Sequence, residues 1–148
     1  QGSPVGDYVF ILRDLDCEEE EVVRKNLLAK IETRFHDRVE VHFAVQEIEA
    51  WMIADPEGFC SLYKRHSFDL LNELKKLVPL GQSPESLDCN PKPAKRLEKI
   101  TEKFNLTYTK THHGPKILGL VNPDVIAARC PHFKAFRDSL REKIGYPL

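Results

Sequence analysis

The chain has 148 residues, a formal net charge of −1, 41% hydrophobic residues and 30% charged residues. This size and balance are typical of one folded globular domain, and they exclude a disordered chain or a strongly cationic nonspecific DNA-binding protein. No apolar run reaches the roughly 20 residues that cross a bilayer, so we expect no membrane segment.

The first predicted elements form a strand–helix–strand unit. Residues 8–12 (YVFIL) are a continuous apolar run, which is typical of a buried strand covered on both faces in a parallel α/β sheet. Residues 17–35 follow with a helical pattern, and the alternation in residues 38–45 (RVEVHFAV) predicts a second strand. Strand, helix and strand in this order predict a right-handed parallel crossover.

The remainder of the chain is predicted to be mostly helical. Helices are expected at residues 47–55, from Pro56 to about residue 66, at 67–77, at 94–104, and after Gly114-Pro115, Pro123 and Pro131. Residues 80–93 contain Gly81 and three prolines and are predicted to be a loop. We therefore expect one α/β domain over residues 1–148, with a tail at 1–7, an α/β half at 8–55 and a helical half at 56–148.

The cysteines give no metal or disulfide pattern. Cys17, Cys60, Cys89 and Cys130 are widely spaced and form no C-x-x-C pair. Zinc sites need paired spacing, and disulfide frameworks are typical of shorter secreted chains. Residues 1–7 also lack the positive and apolar regions of a signal peptide. We expect reduced structural thiols in a cytoplasmic protein.

Two aspartates follow the first predicted strand. Asp14 and Asp16 flank Leu15 at the carboxyl edge of the sheet, where α/β folds place their ligands, and alternation points both carboxylates the same way. A carboxylate at the end of an apolar strand is costly without a partner, and Arg13 is predicted to point to the opposite face. Bound Mg²⁺ or Mn²⁺ would turn the repulsion of the two carboxylates into coordination.

Other roles are open for the neighbouring polar residues. Asp16 also stands where a helix N-cap belongs, so structure alone could explain it. The second strand ends beside the first and places Glu47 at the same edge. Glu49 need not face the same way as Glu47. Trp51 is predicted to be a core residue. The basic stretch from Lys92 to Lys116 is either a solvated helix face or a basic wall that faces the acidic site and suits a phosphate ligand.

Several segments together resemble a known family. Residues 10–16 (FILRDLD), the long helix after them and residues 46–55 (QEIEAWMIAD) resemble a TOPRIM-like prokaryotic family labelled a domain of unknown function (number 4276). The segments Lys92-Pro-Ala-Lys-Arg-Leu97, Tyr108-Thr-Lys110 and Phe133-Lys-Ala-Phe136 are similar to it as well. The resemblance therefore covers most of the chain.

The resemblance implies a divalent-metal-dependent nuclease. Asp14 and Asp16 would be ligands of Mg²⁺ or Mn²⁺, and Glu47 would be a third ligand or would orient a metal-bound water. Lys95 and Lys110 would bind the substrate and neutralise phosphate charge, so that Glu47 and Lys110 are the expected catalytic residues. It also implies a nucleic-acid substrate, and an ATPase partner in a prokaryotic phage-defence system.

One feature of the TOPRIM fold is absent from the sequence. That fold places a catalytic glutamate on a strand before the aspartate pair, and only seven residues, none of them glutamate, precede Tyr8. The chain would then be part of a longer protein or a member that lacks that strand, and the alternative function is a noncatalytic binding or regulatory module that partners an ATPase. A phosphatase with Asp14 as nucleophile is disfavoured, because Cys17-Glu18 follow where that class has a small residue and threonine.

Overall fold

The structure is a computed structural model that describes residues 7–64 and 67–146. Its two strands, β1 (Val9–Asp14) and β2 (Val39–Ala44), pair in parallel, with Val9 opposite Val39 and Asp14 opposite Ala44. The parallel strand pair expected from the sequence is confirmed. Because the strands are parallel and in this register, both carboxyl ends lie at one edge of the sheet.

Helices make up most of the remaining described structure. The α-helices are, in chain order, α1 (Glu20–Leu28), α2 (Glu49–Ala54), α3 (Pro56–Cys60), α4 (Ser67–Leu77), α5 (Pro93–Glu102), α6 (Gly114–Leu118), α7 (Pro123–Arg129) and α8 (Pro131–Lys143). Two short 3₁₀ helices lie at Thr33–Arg38 and Pro84–Ser86. The fold is thus mixed α/β and mostly helical. Within the described ranges, none of these helices has the length and apolar character needed to cross a bilayer.

The strand pair lies between two helices. On one face, Val41 and Phe43 of β2 form a small core with Val23 of α1. On the other face, Phe136 of α8 contacts the ring of Phe10 with centroids 6.4 Å apart. The larger core is helical and contains Trp51, which is 3% exposed, so the prediction of a core role for this residue is confirmed.

β1 is less buried than its apolar sequence predicts. Val9 is 51% exposed and Leu12 is 39% exposed, whereas Phe43 of β2 is 1% exposed. Among the described residues β1 pairs with β2 alone, so no strand covers its other edge. The expectation of a strand buried on both faces is therefore wrong for β1, although a helix packs against each face of the strand pair.

The helix expected at residues 17–35 is shorter. Asp16 and Cys17 have φ of 51° and 65°, which a right-handed helix does not contain, and α1 begins only at Glu20. The residue before Glu20 is the N-cap, so the N-cap alternative for Asp16 is wrong. At the other end, Nε2 of His36 lies 3.0 Å from the carbonyl oxygen of Leu28 and satisfies one of the free carbonyls where α1 ends.

Asp55 lies in the turn between α2 and α3, where its side chain accepts two backbone hydrogen bonds. Its carboxylate accepts the N–H of Gly58 at 3.2 Å, which caps α3, and the N–H of Asn122 at 2.7 Å. Asp55 is therefore a structural cap that ties α3 to the start of α7. The helix expected to run from Pro56 to about residue 66 ends at Cys60, and residues 65 and 66 lie outside the described ranges.

His132 links the strand layer to the helical core. Its Nε2 lies 2.8 Å from a carboxylate oxygen of Glu20 on α1, and its Nδ1 lies 3.0 Å from Glu85. Burial opposes the imidazolium, but the hydrogen bonds and charges of both glutamates outweigh it and raise the pKa of His132 above 6.5. The protonated form of His132 is thus favoured by the fold, and it joins α1 to the loop that contains Glu85; we call this contact the clamp.

We predict that this clamp is pH-dependent. Because the folded-state pKa is raised, its stabilisation is fully present below the ordinary histidine pKa and is lost as pH rises through the folded-state value. His132→Gln should lower the free energy of unfolding by up to roughly 1 kcal/mol at about pH 6 and by less at about pH 8.5. Urea unfolding at both pH values measures this, with His112→Gln, an exposed histidine, as the control. A loss that does not depend on pH would contradict the clamp.

Candidate functional site

The exits of β1 and β2 continue as a paired turn. The N–H of Leu15 donates to the carbonyl of Ala44, and the N–H of Asp16 donates to the carbonyl of Gln46, both at 2.9 Å. Asp16, Cys17 and Gln46 are three of the four non-glycine residues in the described ranges with positive φ. Such conformations cost on the order of 1 kcal/mol each and cluster at functional sites, which draws attention to this edge.

Acidic side chains converge at the same edge. They come from the exits of the two strands and from the start of α2, and they are Asp14, Asp16, Glu47 and Glu49. Asp14 accepts the N–H of Ile48 at 3.0 Å, and Glu47, which is 5% exposed, accepts the N–H of Ala94 in the first turn of α5 at 3.0 Å. Asp16 lies at the rim, where its side chain is half exposed. The hydrogen bonds fix Asp14 and Glu47 in place.

Two lysines contact these carboxylates. Nζ of Lys110 lies 2.7 Å from Glu47 and 3.6 Å from Glu49, and Nζ of Lys92 lies 2.7 Å from Asp16. Burial opposes the charge of Lys110, but its hydrogen bond to Glu47 and the surrounding carboxylates raise its pKa, so it stays cationic. Four carboxylates therefore face two ammonium groups in direct contact, which leaves an excess of negative charge.

The excess of negative charge affects the carboxyl group of Asp14. Burial raises the pKa of its carboxyl, and the charges of Asp16 and Glu47 raise it further, against the opposing effects of the Ile48 N–H and Lys110. Arg13, considered as a partner from the sequence, lies 2.8 Å from Glu18 instead. The Asp14 carboxylate is thus partly desolvated and repelled by its neighbours, which disfavours its charged form.

Glu49 is the most buried of the four carboxylates. It is 2% exposed, and its Oε1 accepts the hydroxyl hydrogen of Tyr108 at 2.9 Å. Its Oε2 has no hydrogen-bond partner among the described residues. Burial raises the pKa of this carboxyl as well. An adjoining cavity of about 280 Å³ is lined by Asp14, Ile48, Glu49, Met52, Lys110, Gly114, Pro115 and Leu118.

Most, but not all, of the site residues predicted from the sequence lie close together in the structure. It brings Asp14, Asp16, Glu47 and Lys110 together, whereas Nζ of Lys95 pairs with Glu98 of α5 at 2.6 Å and is influenced by Glu47 only through its charge. Within the described ranges, no group of three or more histidine, cysteine or acidic residues is arranged to hold a metal ion. The carboxylates instead engage lysines.

Sequence reasoning missed two residues that complete the site. Lys92 was one of many lysines in a basic stretch, and only the fold shows that it contacts Asp16. Tyr108 lies two residues before Lys110, and side chains two apart point to the same side wherever the chain is extended. That spacing was the available signal for Tyr108.

A disulfide closes the rim of the site. Cys17, next to Asp16, is bonded to Cys89 in the loop before α5, and the two are 72 residues apart in sequence. The expectation of four reduced thiols is therefore wrong for this pair, because only the fold brings the two together. Cys60 and Cys130 are buried free thiols, and burial raises the pKa of each to about 12. They are thus unreactive structural thiols.

Fold and site together define a mixed α/β protein with an acidic site at the exits of two parallel strands. The family model described as "Domain of unknown function (DUF4276)" matches residues 3–141, and the chain belongs to this family. Neither a curated protein nor a solved structure matches the chain. The family resemblance seen in the sequence is thus confirmed, while its likeness to TOPRIM domains stays a prediction.

We predict that the disulfide stabilises the fold. By limiting the freedom of the unfolded chain, a crosslink over 72 residues contributes up to about 4 kcal/mol. Replacing both Cys17 and Cys89 by serine should lower the melting temperature, and a reductant should lower that of the wild type but not that of the double variant. Cys60→Ala leaves the disulfide intact, so its melting temperature should still fall with reductant. Equal melting temperatures of the wild type with and without reductant would show that the thiols are reduced.

We also predict that Asp14→Asn stabilises the protein in the absence of metal. The folded-state pKa is raised, so the ionised carboxylate costs stability at neutral pH, and that cost is removed as pH falls through the raised value. The asparagine oxygen still accepts the Ile48 N–H. The expected gain is at most about 1 kcal/mol, or roughly 2 to 4 °C in melting temperature.

Glu47→Gln provides the contrast for Asp14→Asn. It breaks the ion pair with Lys110 and should lower the melting temperature, because it leaves the ammonium without its closest carboxylate. Differential scanning calorimetry in EDTA measures both variants. A lower melting temperature for Asp14→Asn would contradict the repulsion at this edge.

Proposed function

We propose that this chain binds a divalent cation, Mg²⁺ or Mn²⁺, at the strand edge and hydrolyses phosphodiester bonds in nucleic acid. The observation that carries the proposal is the uncompensated negative charge of the site. Four carboxylates face two lysines in direct contact, and Glu49 Oε2 is buried without a hydrogen-bond partner among the described residues. A cation would remove that imbalance.

The donor set fits a hard cation. Carboxylate oxygens are the ligands that Mg²⁺ and Mn²⁺ prefer in proteins. Asp14, Asp16 and Glu47 would hold the ion, which would polarise a phosphate oxygen and lower the pKa of a bound water. Since Lys92 and Lys110 now contact Asp16 and Glu47, cation binding requires these lysines to give up part of those contacts.

The displaced lysines suit the substrate. Both side chains are about half exposed, with accessibilities of 46% for Lys92 and 44% for Lys110, so each can turn towards a phosphate at the rim. Lys110 stays cationic because the carboxylates around it raise its pKa. An ammonium beside the phosphate stabilises the charge that develops during hydrolysis. Glu47 either binds the cation or orients the attacking water.

The TOPRIM likeness supports the proposal by analogy only, since fold likeness does not determine function. The two parallel strands and the aspartates at their exit agree with it. A further strand of a TOPRIM-type sheet, with the expected glutamate, would pair with the open edge of β1. A defence role with an ATPase partner is part of the same analogy.

A second candidate is a noncatalytic binding or regulatory module that partners an ATPase. The observation that favours it is that three of the four carboxylates already lie within ion-pair distance of a lysine: Asp16 of Lys92, and both Glu47 and Glu49 of Lys110. Such a module would bind no cation at this edge and would show no turnover with any metal.

Metal binding and cleavage separate the two candidates. We predict that isothermal titration with Mn²⁺ gives saturable binding, and that the protein nicks plasmid DNA or cleaves single-stranded RNA when Mg²⁺ or Mn²⁺ is present. Asp14→Asn should lose at least about 100-fold in cleavage rate. Asp138→Asn, an acidic residue of α8 that contacts Lys134, is the matched control and should keep full activity.

Two results would contradict the proposal, one for the cleavage and one for the cation site. Cleavage that persists unchanged in Asp14→Asn would come from a contaminating nuclease. No Mn²⁺ binding by the wild type would refute the metal site and leave the noncatalytic module.

A further inference from the structure

Glu49 and Tyr108 form a buried pair next to the site. Neither residue is one of the proposed cation ligands Asp14, Asp16 and Glu47. Glu49 is 2% exposed and Tyr108 is 3% exposed. The tyrosine hydroxyl donates to Oε1 at 2.9 Å, so this oxygen is engaged. The other oxygen, Oε2, has no hydrogen-bond partner in the described part of the chain, and Nζ of Lys110 lies 3.6 Å from it.

We infer that Glu49 is a further cation-binding carboxylate of this site and that Tyr108 is the residue that positions it. The inference rests on the proposed function, because it assigns the ligand through which the same cation is held more tightly. Glu49, Asp14 and Lys110 line one cavity, so the two carboxylates border a common space in which a cation could contact both.

A purely structural role explains this pair poorly. A buried carboxylate that serves only the fold is expected to have both oxygens hydrogen-bonded, since a buried acceptor without a donor loses its hydration and gains nothing in return. Here Oε1 accepts a hydrogen bond, whereas Oε2 accepts none from the described residues and has only the longer 3.6 Å contact with Nζ of Lys110. A neutral glutamine at position 49 would accept from Tyr108 without the charge. The cost of leaving Oε2 without a hydrogen bond is explained if a metal cation binds there.

Tyr108 is well placed to fix the carboxylate. Its ring packs with Phe59, with centroids 6.0 Å apart, and its hydroxyl also lies 3.7 Å from the sulfur of Met52. A hydroxyl has one hydrogen to donate, and the shorter contact is the one to Glu49. With Oε1 held by this bond, rotation of the carboxylate is restricted, and Oε2 can bind a cation once Lys110 turns away.

Cation affinity and cation hydration test the inference. Mn²⁺ affinity is measured by isothermal titration, and the number of waters on bound Tb³⁺, another hard oxygen-seeking ion, by luminescence lifetimes in H₂O and D₂O. Glu49→Gln should weaken Mn²⁺ binding by about tenfold or more and add about one water to bound Tb³⁺. Tyr108→Phe keeps the ring but removes the hydroxyl, and it should weaken Mn²⁺ binding several-fold and raise the Tb³⁺ hydration.

Tyr63→Phe is the matched control. It removes a buried hydroxyl that donates to the carbonyl of Thr107 at 2.9 Å, a bond of the same length that does not involve Glu49. A loss of stability alone would affect Tyr63→Phe and Tyr108→Phe alike, whereas loss of a positioned ligand affects only Tyr108→Phe. If Tyr108→Phe does not fold, the result of Glu49→Gln decides.

Failure of the inference and failure of the proposed function give different results. If the wild type binds Mn²⁺, and Glu49→Gln binds it with unchanged affinity and unchanged Tb³⁺ hydration, the inference is overturned and the proposed cation site stands. If the wild type binds neither ion, the proposed function fails and the inference fails with it.

Discussion

Electrostatic repulsion among carboxylates at the strand exits is the constraint on which this structure depends. The parallel register of β1 and β2 places Asp14 and the turn to Glu47 at one edge, and this arrangement follows from backbone pairing alone. The ion pair of Glu47 with Lys110 and the N–H of Ala94 offset the repulsion in part. Both partners come from the second half of the chain, so the site forms only when the two halves pack.

The same edge contains several features that oppose stability. Asp14 and Glu49 are carboxylates whose burial disfavours their charge, and Asp16, Cys17 and Gln46 hold strained backbone conformations. The disulfide next to Asp16 compensates by tying the strand exit to the loop before α5. Proteins tolerate such local costs where a site needs charges and backbone in a fixed arrangement.

Local pattern was sufficient for part of the fold. Alternation in residues 38–45 predicted β2, and the prolines at positions 56, 123 and 131 predicted helix starts, because proline fits the first helical turn and loses no hydrogen bond there. The convergence of Asp14 and Glu47 also followed, since the exits of parallel strands share an edge. These are properties of short segments and of one pairing rule.

Long-range contacts supplied what the sequence could not predict. The bond between Cys17 and Cys89 and the contact of Lys92 with Asp16 join residues more than 70 positions apart. The exposure of β1 depends on how many strands pair with it, which an apolar run does not reveal. The late start of α1 arises from positive φ at Asp16 and Cys17, a conformation that neither residue type predicts.

Thermal unfolding with and without divalent cation tests the central claim most directly. A ligand that binds only the folded state stabilises it by about 2.7 kcal/mol at a concentration 100 times its dissociation constant. The wild-type melting temperature should therefore rise with increasing Mn²⁺ or Mg²⁺, while that of Asp14→Asn should stay nearly constant. A wild-type melting temperature that does not respond to either ion would contradict a cation site at the strand edge.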